Sequence, residues 1–179
     1  MTRKRLKSCL LRASLFFIVF ALTCGALSCS SPTPPDLIEV DIVAPDFTLP
    51  TLTDTEITLS DLQGTPVVLN FWAISCPACR AGLPYFDVVA KEYADKVTIV
   101  AVNIGESVSQ VKGFFGDSKV SFTVALDKNA QMTSSYATGY IPTTFFIDSQ
   151  GIIRYIKVGP FADEKQLQAS IDKLLNKGG

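Results

Sequence analysis

The stretch Asn70-Phe71-Trp72-Ala73-Ile74-Ser75-Cys76-Pro77-Ala78-Cys79-Arg80 constrains the chain most, because two different periodicities meet in it. The apolar run from Val67 to Trp72 reads as a buried strand. Beyond Pro77 the apolar residues Leu83, Phe86, Val89, Ala90 and Tyr93 recur at three- and four-residue steps, one face of a helix. The two cysteines therefore fall at a strand-to-helix junction. Pro77 suits the first helical turn, where its missing N–H would be unpaired anyway. Cys76 then takes roughly the N-cap, where unpaired backbone N–H groups and the positive end of the helix dipole favour thiolate over thiol. Cys79 lies one turn on, on the same face, so its sulfur can reach that of Cys76. A dithiol that opens and closes as a disulfide is the chemistry this geometry suggests. A pair of ordinary core cysteines would not need the junction. Zinc needs about four ligands, and this chain has no histidine and no second Cys-x-x-Cys, so no metal site is expected.

The 179 residues suit one domain plus a tail. Arg3, Lys4, Arg5, Lys7 and Arg12 make a basic start, and Ala13 to Leu27 is almost wholly apolar, the two regions of an export signal. The apolar stretch is shorter than the roughly 20 residues of a spanning helix. Ala26-Leu27-Ser28-Cys29, followed by Ser30 to Pro35, resembles the cleavage box of bacterial lipoproteins, in which the cysteine is lipidated. An uncleaved N-terminal anchor is the alternative, and either one places the domain outside the cytoplasmic membrane. Cleavage before Cys29 would remove Cys9 and Cys24 and leave Cys76 and Cys79 as the only thiols not bearing lipid. The expected organisation is signal or anchor over 1–28, a Ser/Pro-rich tether over 29–42, and a folded domain over 43–179. Without residues 1–28 the chain holds 11 basic and 17 acidic residues, a net charge of −6. That balance offers no basic patch for nucleic acid.

Along the domain the pattern predicts a short strand and turn near Thr58 to Gly64, the central strand, and a helix to about Ala94. A strand over 97–103, a helix over 108–116, a strand over 122–126 and a short helix over 129–136 follow. Thr143 to Ile147 and Ile152 to Val158 form an antiparallel hairpin, and Glu164 to Asn176 closes the chain as an amphipathic helix. The order gives an α/β domain with a mixed sheet between helices.

Several segments together resemble the TlpA/ResA-like branch of the thioredoxin superfamily, the AhpC/TSA-thioredoxin-like group. They are Ala44-Pro45-Asp46-Phe47, Leu59-Ser60-Asp61-Leu62-Gln63-Gly64, Val67 to Ala73, Cys76-Pro77-Ala78-Cys79-Arg80, Leu83-Pro84 and Ile141 to Asp148. The resemblance spans about residues 43–175. It implies a thioredoxin fold with an N-terminal extension and a central inserted helix and strand. It also implies a membrane-tethered thiol–disulfide oxidoreductase whose only redox group is the Cys76–Cys79 pair, with no separate cofactor. Its partners would be a disulfide-containing client protein, as in cytochrome c maturation, and a membrane thiol-reducing partner; the chain itself would be a monomer.

Within the resemblance Cys76 corresponds to the attacking cysteine and Cys79 to the resolving one. Ile141-Pro142 resembles the cis-proline loop that faces the dithiol and pairs with the client backbone. From the residues alone, Pro142 reads as a trans proline that opens a strand. Trp72 is expected to support the site by packing. Three departures stand out. Many relatives carry glutamate where Gly82 stands, thioredoxin has aspartate where Asn70 stands, and the dipeptide between the cysteines is Pro77-Ala78. Neither Gly82 nor Asn70 can supply a charge behind the dithiol, and Glu106 and Asp148 are the candidate substitutes. Two other functions fit the residues less well. A thiol peroxidase would carry a Thr-x-x-Cys box, which Ala73-Ile74-Ser75-Cys76 lacks. A copper carrier would have Cys-x-x-x-Cys and a distal histidine.

Overall fold

The computed structural model describes residues 39–177. The basic and apolar N-terminal segment, Cys9, Cys24, Cys29 and most of the Ser/Pro spacer lie outside the described residues. Seven strands and four helices follow one another: β1 (Thr48–Pro50), β2 (Glu56–Thr58), β3 (Val67–Trp72), α1 (Pro77–Glu92), β4 (Thr98–Ile104), α2 (Val108–Phe115), β5 (Thr123–Asp127), α3 (Gln131–Ser135), β6 (Thr143–Ile147), β7 (Ile153–Val158) and α4 (Glu164–Lys177). A 3-10 turn, Ser60–Leu62, lies between β2 and β3.

The main sheet has five strands in the order β5-β4-β3-β6-β7. β3 runs parallel to β4 and antiparallel to β6, and β4 is parallel to β5. The central position of β3 explains its composition: all six residues from Val67 to Trp72 are buried, as a strand covered on both faces requires. Successive side chains point to opposite faces. Val68 and Trp72 join a core with Leu83, Phe86 and Val89 of α1, Val111 of α2, and Leu167, Ile171 and Leu174 of α4. Val67, Leu69 and Phe71 join a second core with Phe47, Leu49, Leu59, Phe145 and Tyr136.

The second face is covered in part by the β1–β2 hairpin, an antiparallel pair that the sequence pattern leaves as loop and one short strand. Each of its strands has three residues, too few for alternation to register. Thr51 bridges to Ala125, which docks the hairpin on edge strand β5. At the other edge Val43 bridges to Ile152, and the Asp41 N–H donates to the Ile153 carbonyl at 2.6 Å. The inserted α2 and β5 widen the sheet beyond β4, as the family resemblance implies.

Candidate active site

β3 ends at Trp72, and α1 begins at Pro77 with Cys76 as its N-cap in extended backbone geometry. The intervening turn is closed by the Cys76 N–H, which donates to the Ala73 carbonyl at 3.2 Å. The Cys76 sulfur accepts from the Cys79 N–H at 3.1 Å, so the thiol group itself caps the helix. Pro77 occupies the first helical turn. Cys76 and Cys79 form a disulfide, with Cα atoms 5.3 Å apart. The two sulfurs differ in access: Cys76 is half-buried and Cys79 is 3% exposed.

The Ile141–Pro142 peptide is cis, as the resemblance implies and as the residues alone do not. The Ile141 carbonyl oxygen lies 3.8 Å from the Cys76 sulfur. With the disulfide formed, that sulfur carries no proton, so this is a contact and not a hydrogen bond. The segment is held on both sides of Ile141. The Thr143 hydroxyl donates to the Tyr140 carbonyl at 2.7 Å, and the Gly159 N–H donates to the Pro142 carbonyl at 2.8 Å. Tyr140 is 78% exposed, which puts a large aromatic in solvent one residue before Ile141.

Trp72 is fully buried, with its ring 5.5 Å from Phe114 and 5.8 Å from Phe115. It braces the end of β3 from inside and presents no surface to a client. Its indole N–H and the side-chain oxygen of Asn103, its register partner on β4, are buried without a hydrogen-bond partner. Among the described residues, no group of three or more His, Cys, Asp or Glu side chains could hold a metal ion.

The two candidate substitute acids occupy opposite ends of the sheet. Asp148 follows β6, which runs antiparallel to β3 with Ile147 beside Val67. A strand of six residues separates it from the dithiol end, about 20 Å at 3.3 Å per residue. Asp148 is thus no part of the site. It caps the β6–β7 turn, accepting from the Gln150 and Ile152 N–H groups and from Arg154 Nε at 2.6 Å. Glu106 lies beside the dithiol loop, and both its oxygens accept from the Ile74 N–H, at 2.9 and 3.0 Å. Neither contact is visible in sequence spacing, since Ile74 and Glu106 are on separate loops. At Gly82 a β-carbon would meet no heavy atom within 4 Å. Asn70 is buried and donates to the Thr144 hydroxyl at 2.9 Å, joining β3 to β6.

A sequence model of the AhpC/TSA family matches residues 40–156. The chain is 37% identical over 132 residues to the thioredoxin-like protein YneN of Bacillus subtilis, covering 72% of this chain and 76% of that one. It is 33% identical over 162 residues to the thiol-disulfide oxidoreductase ResA of Oceanobacillus iheyensis, covering 88% of this chain and 84% of that one. Among solved structures it is similar to the pneumococcal exposed lipoprotein thioredoxin Etrx1 of Streptococcus pneumoniae. The TM-score is 0.65 with 27% identity, covering 72% of this chain and 99% of that one.

Proposed function

The chain belongs to the AhpC/TSA family, together with its YneN and ResA relatives, and on that premise we propose that it reduces protein disulfides outside the cytoplasmic membrane, with Cys76 attacking and Cys79 resolving. One observation carries the reading. A disulfide at the helix N-terminus joins a half-buried sulfur to a buried one and lies against the carbonyl before a cis proline.

In the reduced protein the Cys76 thiolate attacks one sulfur of a client disulfide. A Cys76–client bond forms, and the other client sulfur leaves as thiolate and takes up a proton. Cys79, once deprotonated, attacks the Cys76 sulfur and expels the second client thiolate. The client gains two electrons and two protons, and the Cys76–Cys79 disulfide is left. A membrane thiol-reducing partner returns the electrons by the same exchange run from its own dithiol. Ile141 and Pro142 supply the backbone edge on which a client strand aligns its disulfide with Cys76. Trp72 and Pro77 support the site, one from the core and one as the first residue of α1. Direction follows from the pair's reduction potential relative to both partners, and reduction is the direction that the resemblance to ResA supports.

The tether is part of the same proposal. Residues 1–28 act as a lipoprotein signal, or as an uncleaved anchor, residues 29–42 as a spacer, and 43–179 as the catalytic domain. Support comes from the Ala26-Leu27-Ser28-Cys29 box and from the similarity to a protein named as an exposed lipoprotein thioredoxin. The client would present a protein disulfide of the kind an apocytochrome c offers before haem attachment.

Turnover on insulin disulfides, on peroxide and on Cu(I) binding, measured in parallel, tests the reading. Insulin reduction should be lost in Cys76→Ser. Cys79→Ser should hold a client as a mixed disulfide on Cys76, from which the client can be identified. Peroxide turnover that survives Cys79→Ser, with no insulin reduction in the parent, would favour the thiol peroxidase instead.

A further inference from the structure

We propose that Glu106 is a positioning residue of the dithiol: its carboxylate anchors the Cys76 loop, and its negative charge biases the Cys76–Cys79 pair toward the disulfide. The inference rests on the dithiol reading above and adds what sets the redox poise of that pair.

The geometry concentrates on one carboxylate. Both oxygens of Glu106 accept from the Ile74 N–H, and one also accepts from the Asn103 side-chain amide at 2.6 Å. Asn103 is fully buried on β4 beside Trp72, so the carboxylate is fixed from the sheet side and cannot swing away without leaving a buried amide unpaired. Ile74 stands two residues before Cys76, inside the turn that the Cys76 N–H closes onto Ala73. Two residues span at most about 7 Å. Glu106 therefore acts on the Cys76 segment from within about a Debye length, roughly 10 Å at 0.1 M salt. It is partly shielded from water, unlike Arg80, the exposed cation of the first α1 turn. Gly82 and Asn70 leave the other carboxylate positions of the resemblance uncharged, so the charge behind the dithiol enters from the β4–α2 loop.

The sign follows from thiolate stability. A fixed negative charge disfavours the Cys76 thiolate and raises its pKa, opposing the helix N-terminus. A less stable thiolate makes the dithiol less favoured relative to the disulfide. Removing the charge should shift the equilibrium toward the dithiol.

Asn103 makes a clean test available. Its side-chain oxygen has no partner. In Glu106→Gln the new amide can still accept from the Ile74 N–H, while the Asn103 amide turns to offer its oxygen to the Gln nitrogen. That variant keeps the anchor and removes the charge. Glu106→Ala removes both.

The experiment is equilibration of parent, Glu106→Gln, Glu106→Ala and Asp95→Asn with glutathione buffers over a range of pH that spans the Cys76 pKa. Thiolate absorbance titration of Cys76 in the Cys79→Ser background accompanies it. Asp95 is an exposed carboxylate just past the far end of α1 and controls for loss of net charge. Both neutral Glu106 variants should lower the Cys76 pKa by about half a unit. At a pH above that pKa, where Cys76 is thiolate, they should move the equilibrium toward the dithiol on the order of threefold, the shift fading as pH falls below it. Asp95→Asn should match the parent, and either folded Glu106 variant is enough to decide. An equilibrium and a Cys76 pKa equal to the parent's in the neutral variants would reduce Glu106 to a structural anchor and overturn the proposal alone. A parent pair that does not exchange with glutathione at all would overturn the dithiol reading as well.

Discussion

Cys76 and Cys79 are alike in chemistry and unlike in place. Cys76 caps the helix with its sulfur and is half-buried, whereas Cys79 is buried in the core formed with Trp72, Leu83 and Phe86. In the reduced protein, iodoacetamide should modify Cys76 first and Cys79 much more slowly, as mass spectrometry of partly labelled protein would show. Preferential labelling of Cys79 would reverse the assigned roles. This difference was legible in the sequence, because Pro77 and the change of apolar period place Cys76 at the cap and Cys79 one turn inside. The cis bond before Pro142 came from the family resemblance, since the local residues favour a trans proline. The partner of Glu106 was not legible. It depends on the β3–α1 and β4–α2 loops meeting beyond the ends of two parallel strands, and no local pattern encodes that meeting.

At the level of elements, the strands and helices that bury a clear face were readable to within a residue or two. Val67–Trp72, Thr143–Ile147 and the α1 and α4 faces are examples. The β1–β2 hairpin was not, because strands this short are fixed by docking on the second sheet face through Phe47, Leu49 and Leu59 and not by their own alternation. Asp148 shows how one turn secures the same assembly from the other edge. Burial pushes its carboxyl up, but bonds from the Ile152 N–H, Arg154 and the Gln150 N–H outweigh that and hold it below the usual carboxylate range. Arg154 also pairs with Asp41 at 2.9 Å, tying the segment before β1 to β7. A carboxyl lowered on folding contributes stability that is fully present above its ordinary value of about 3.9 and is lost as pH falls through the folded value. Asp148→Asn should therefore cost about 2–3 kcal/mol at pH 7, and the gap to the parent should shrink as pH drops below about 4. Urea unfolding of both proteins at pH 7 and pH 3 measures this; a gap that persists undiminished in acid would show that the charge is not what the turn uses.

On the scale of the whole molecule, the described residues hold the redox pair, and the export and attachment signals proposed above fall in the sequence before them. Among the described residues no helix is long and apolar enough to cross a membrane. Cleavage before Cys29 would make that residue the first of the mature chain, remove Cys9 and Cys24, and leave Cys29, its thiol consumed by lipid, as the one cysteine outside the site. In an oxidising compartment a spare thiol near Cys76 could be drawn into a wrong disulfide. The remaining chain would carry a net charge of −6, too acidic to hold an anionic membrane surface by charge. One lipid chain gives only marginal binding and stable anchoring takes two signals, so the proposed anchor requires a multiply acylated Cys29. Cys29→Ala should accordingly either release the domain from membranes on fractionation or leave the precursor uncleaved and held by its apolar segment. Intact-mass measurement separates these two outcomes, and in both the Cys76–Cys79 pair should still reduce insulin in detergent. A parent protein whose N-terminus is found to be residue 1, unmodified, would replace the lipid with an uncleaved anchor and leave the dithiol chemistry as it stands.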